Sequence, residues 1–132
     1  MKFLCMGYHE EKVWNQQPPE ERDALLNETF AYADELRRKG HVIGDEALQE
    51  ARTAATLRFG NREVSVTDGP YAETKEQLGG FMLIEADDLS HAIRLMSKIR
   101  CMRMGGAIEI RPVNEEINEA IRAGAVPVAA GR

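Results

Sequence analysis

This 132-residue sequence predicts a one-domain α+β fold, with helices covering one face of an antiparallel sheet. Two stretches keep apolar residues at helical spacing, several short runs have strand character, and no linker separates them. The order is strand, helix, strands, strand, helix, strand, the ferredoxin-like βαββαβ plan with an added hairpin strand.

The elements justify that order one by one. Met1 to Tyr8 is apolar on both alternating faces apart from Lys2, which suits an interior strand covered on both sides. His9 to Gln17 reads as a polar loop around the single tryptophan, Trp14. Pro18-Pro19 followed by Glu20-Glu21 marks a helix start, because proline is tolerated in a first turn and acids suit the positive end of the dipole. Leu25, Leu26, Phe30, Ala33 and Leu36 form its predicted core stripe, with Phe30 at the middle, and Gly40 stops it. His41 to Leu48 is a second strand. Residues 53–59 and 63–67 predict a hairpin turning at Gly60-Asn61, with Ala55, Leu57 and Phe59 alternating on one strand and Val64 and Val66 on the other. Phe81 to Ala86 is again apolar on both faces. Asp87 or Asp88 caps a second helix carrying Leu89, Ala92, Ile93, Met96 and Ile99, and Ala107 to Val113 is the last strand.

Ile117 and Ile121, four apart, predict a short docking helix, and residues 125–132 are predicted to fray. The division is therefore a domain over 1–113 and a C-terminal helix and tail over 114–132. The apolar sheet face left by the helices calls for a symmetric cover, so a homodimer is expected.

A net charge of −5 with 30% charged residues describes a soluble, mildly acidic chain and argues against direct nucleic-acid binding. No run approaches the roughly 20 apolar residues of a membrane span, and Met1 to Tyr8 lacks the flanks of a signal peptide. Cys5 and Cys101 do not have the spacing of a disulfide framework or a zinc site, and Cys5 is expected in the core. A cytoplasmic protein with no cofactor and no metal is the expectation.

Asp68 to Gly80 concentrates the chemistry. Asp-Gly-Pro forces a sharp exit from a strand, charged Glu73, Lys75 and Glu76 follow, and Gly79-Gly80 admit a close backbone approach. The run VTDGPYAETKEQLGGFMLIEADDLSHAI resembles the signature of the DGPF family within the larger YCII-related group, and the likeness extends through GHVIGDEALQ and GGAIEIRPV. Tyr71 stands where that family usually has phenylalanine, and Arg100-Cys101 where relatives often carry Pro-Gly. The resemblance implies a dimeric α+β barrel with a cleft in each subunit, holding an unidentified small molecule. The resemblance also implies a place among proteins of this fold, some of which act as lyases, isomerases or dehydrochlorinases, and beside DGPF proteins that resemble companions of extracytoplasmic-function sigma factors by gene proximity or fusion.

Two functions follow from this reading. One is a cofactor-independent enzyme doing acid–base chemistry near Asp68; the other is a non-catalytic ligand-binding or regulatory module. Asp68, at the expected cleft mouth, is the candidate acid or base. His41 and His9 are its candidate partners, since histidine titrates near neutrality. The wider group is associated with a histidine–aspartate pair whose histidine follows the first strand, and both histidines stay open here. His91 is read as solvent-exposed. Tyr8, Glu73, Lys75 and Glu76 are the candidate ligand contacts. A polar pocket around a shifted Asp68 would favour the enzyme, and a wide apolar cavity without a paired acid and base would favour the binder.

Overall fold

The structure is a computed structural model and describes residues 1–100 and 104–124. The expectations for Cys101 and for the fraying tail lie outside those residues. The strands are β1 (Lys2–His9), β2 (Val42–Ala47), β3 (Ala55–Phe59), β4 (Val64–Asp68), β5 (Gln77–Glu85) and β6 (Gly106–Pro112). The α-helices among the described residues are α1 (Glu11–Asn15), α2 (Pro19–Arg38), α3 (Leu89–Met96) and α4 (Glu115–Arg122). Together they make a mixed α/β fold with antiparallel sheets.

Four strands form one open sheet in the order β2-β5-β1-β6, every neighbour antiparallel. The predicted hairpin exists, but β3 and β4 form a separate two-stranded sheet rather than a strand added to the main one.

Helix α2 begins at Pro19 as its sequence predicts. It ends in a Schellman turn: Gly40 takes φ 82° and donates to Arg37 O, while the His41 N–H donates to Leu36 O at 2.8 Å. Asp88, not Asp87, caps α3 by accepting from the His91 N–H at 2.8 Å. A Tyr32 hydroxyl bond to Leu95 O at 2.7 Å ties α2 to α3.

The core lies between these helices and one face of the sheet. Phe3 and Cys5 of β1, Ile84 of β5 and Val42 of β2 meet Leu36, Ala92 and Met96 there. Burial pushes the Cys5 thiol up to about 11, which matches its expected role as core. On the opposite face Leu4, Met6, Tyr8 and Leu83 stay half-exposed, so β1 is interior within the sheet but covered on one side only in a single chain.

Four expectations change. Residues 9–17 are not simply a loop, because α1 places Trp14 over the sheet end. Strand β5 starts at Gln77, so Gly79-Gly80 are inside it. Phe30 is 52% exposed, because the buried line of α2 runs through Thr29, Ala33 and Leu36 and leaves Phe30 on its flank. Ile117 and Ile121 of α4 are exposed rather than docked on this chain.

Candidate functional site

The end of the sheet where β1 finishes holds a cavity of about 330 Å3 between the helices and the sheet. Its apolar wall includes Val13, Leu26, Phe30, Met82, Met96 and Ile108. His9 and Trp14 stand at its outer end, their rings 6.3 Å apart and tilted.

Side-chain alternation explains how β1 feeds this space. Phe3, Cys5, Gly7 and His9 share the helix-side face, Phe3 and Cys5 in the core and Cys5, Gly7 and His9 along the hollow. Strand β5 then departs from regular pairing: Gly7 is opposite Gly80, but Tyr8 is opposite Leu78. Gly79 is the extra residue of a β-bulge. A Cβ built on Gly79 would lie 2.7 Å from His9 Nε2, and one on Gly80 would lie 2.8 Å from Glu46 O. The double glycine thus seats the imidazole and lets β2 close on β5.

Among the described residues the His9 ring makes no hydrogen bond; Trp14 and Gly79 are its close surroundings. Among the described residues Glu10 and Asp45 of the lining carboxylates are paired with cations, and Glu46 is not. Lys75 lies 3.9 Å from Glu10, and Arg37 lies 2.6 Å from Asp45.

The sequence candidates separate in space. His9 lines the cavity. His41 lies at the opposite end of the sheet, where its Nδ1–H donates to Glu85 O at 2.9 Å, a structural bond at an element boundary. His91 is not solvent-exposed as expected: it is half-buried, its ring 5.1 Å edge-on from that of His41, and its Nδ1 accepts from the Asp87 N–H at 3.0 Å. Asp68 ends β4 on the separate hairpin, exposed and outside the cavity lining, so it does not sit at the mouth in this chain. Tyr8 points to the other sheet face, its hydroxyl 3.9 Å from the Met6 sulfur.

Glu73, Lys75 and Glu76 are exposed in a loop outside the lining, and Lys75 reaches the rim only through Glu10. That loop is held by its own bonds. The Gln77 amide donates to Ala72 O and Thr74 O, and Arg58 donates to Tyr71 O while lying 5.1 Å from its ring centre. Gly69 takes φ 107° and donates to Ala54 O at 2.7 Å, which is the turn that Asp-Gly-Pro predicts.

Sequence reading missed Trp14, Leu26 and Phe30 as cavity residues. A lone tryptophan in a polar stretch was the available signal for the first; the stripe of α2 concealed the others. Among the described residues no three His, Cys, Asp or Glu side chains cluster to hold a metal, and no helix is long and apolar enough to cross a membrane.

The model of the YCII-related domain matches residues 1–117. The chain belongs to the YCII-related family. An uncharacterised protein of Rhizobium meliloti (strain 1021) is 32% identical over 114 residues, covering 86% of this chain and 92% of that protein.

Proposed function

We propose that this YCII-related protein binds a small, mainly apolar molecule in the cavity beside His9, and that it does so as a homodimer. The observation that carries the reading is the cavity itself. Its volume of about 330 Å3 falls at the lower end of small-molecule sites, and its walls are mostly aliphatic and aromatic with few polar groups.

A binding module accounts for the geometry better than acid–base catalysis does. No carboxylate is hydrogen-bonded to His9 among the described residues, and Asp68 lies on another sheet. An acid–base pair needs groups within hydrogen-bond reach of one substrate.

The sheet order and strand directions support the ferredoxin-like plan, with β3–β4 as its addition. Two uncovered apolar surfaces support a second copy. One is the sheet face bearing Leu4, Met6 and Leu83. The other is the hairpin, where Leu57 pairs with Val66 and Phe59 with Val64, all four on one face and all exposed, Phe59 at 79%. An isolated two-stranded hairpin is marginal in water, and a contiguous apolar face marks an interaction site.

Mass spectrometry of the natively purified protein, followed by a thermal-shift screen of apolar small molecules, tests the binding reading. A ligand at 100 times its Kd should stabilise the protein by about 2.7 kcal/mol. Leu26→Trp, which fills the cavity, should remove that shift. No bound molecule and no shift with any compound would sink it. Light scattering tests the dimer: a monomer mass at micromolar concentration excludes it, and replacing Phe59 and Val66 by serine should weaken it.

A further inference from the structure

We infer that the ligand is an amphipathic amine, its apolar body in the inner cavity and its ammonium group outside His9. This rests on the binding reading above and adds the chemical class. A second hollow of about 370 Å3 adjoins the first and is polar, lined by Glu11, Asn15, Gln49, Glu50, Arg52 and Thr53. The two share His9, Trp14 and Leu48. A molecule spanning both therefore has one end among aliphatic side chains and the other among carboxylates and amides.

The charges choose the head group. Glu10, Asp45 and Glu46 line the inner hollow, Glu11 and Glu50 the outer, and among the described residues Arg52 is the one basic side chain in either lining apart from His9. Among the described residues three of these carboxylates have a cation: Glu10 with Lys75, Asp45 with Arg37, and Glu50 with Arg52 at 3.4 Å. Glu11 and Glu46 remain without a cation among the described residues. Glu46 is exposed. Glu11 is half-buried, and its Oε2 accepts the Ala51 N–H at 2.8 Å, which holds the carboxylate at the outer hollow.

A carboxylate ligand would enter a region with unmatched negative charge, and desolvating it there is unfavourable. An ammonium group meets Glu11 instead and can lie against the face of Trp14, the aromatic partner that organic cations prefer.

Three eight-carbon probes below their micelle concentrations test this: octylamine, 1-octanol and octanoate. Trp14 is the only tryptophan in the chain, so its fluorescence reports binding at the shared wall. Octylamine is expected to bind at least about tenfold more tightly than octanoate, a difference of about 1.4 kcal/mol, with octanol between. Glu11→Gln should lower octylamine affinity to that of octanol. Octanoate binding as tightly as octylamine, or a preference that survives Glu11→Gln, overturns the amine assignment while leaving the cavity reading intact. If none of the three binds, the amine assignment falls, and the cavity reading falls with it where the thermal-shift screen is also empty.

Discussion

The His9 imidazole occupies the space that a side chain at position 79 would need: an ideal Cβ on Gly79 falls 2.7 Å from Nε2. The ring can yield only by swinging into the cavity or toward solvent. Gly79→Ala is therefore expected to leave the protein folded and to change ligand affinity. In a His9→Ala background the same substitution should have little further effect. A double-mutant cycle should return a coupling of about 0.5–3 kcal/mol. Equal effects of Gly79→Ala with and without His9 would show that the glycine serves only the strand.

Gly80 makes a different demand. Its added Cβ would meet a backbone oxygen, Glu46 O at 2.8 Å, and backbone in a paired strand has little freedom to move. Gly80→Ala is expected to destabilise by about 1–3 kcal/mol in urea unfolding. Gly44→Ala on β2, where the new methyl meets nothing within 4 Å, is the control and should be close to neutral.

Phe30 and Phe3 separate binding from stability. Phe3 is fully buried, so Phe3→Ala should cost about 3–5 kcal/mol. Phe30 is half-exposed on the cavity wall, so Phe30→Ala should cost less than Phe3→Ala and weaken ligand binding. Comparable losses of stability from the two would contradict this placement.

Cys5 gives a pH dependence with a definite sign. Burial raises its thiol from 9.0 to about 11, so the folded state holds a proton that the unfolded chain releases sooner. Its contribution is complete below pH 9 and is lost as pH rises toward 11. Unfolding free energies across that range, compared between the native protein and Cys5→Ala, should show a steeper decline in the native protein.

Asp68 is exposed, and no hydrogen bond or ion pair engages its side chain among the described residues. Asp68→Asn is expected to leave the melting temperature and ligand affinity unchanged. A folded variant that loses affinity would mean that the hairpin reaches a binding site in the assembled protein.

What the sequence determined by itself was local. Pro18-Pro19 and Gly40 bracket α2 because missing donors and positive φ act within one turn. Alternating Leu57, Phe59, Val64 and Val66 mark a hairpin because strand period is two. Asp88 caps α3 through a bond three residues away. The glycine pair was legible as a site of close approach, since only the absence of a Cβ was needed to see it.

Tertiary structure decided which groups meet. His9 and His41 were both open as candidates in the sequence, yet His41 packs on His91 while His9 faces the cavity, because β1 carries its last residue to the opposite end of the sheet. The bulge that brings Gly79 under His9 depends on register between strands about seventy residues apart in the chain. Phe30 and Trp14 became cavity walls only when the rotation of α2 and the position of α1 were set by packing against the sheet. Asp68 left the cavity because its hairpin pairs with itself, a choice made by backbone hydrogen bonds between β3 and β4 and invisible in the residue's own neighbourhood.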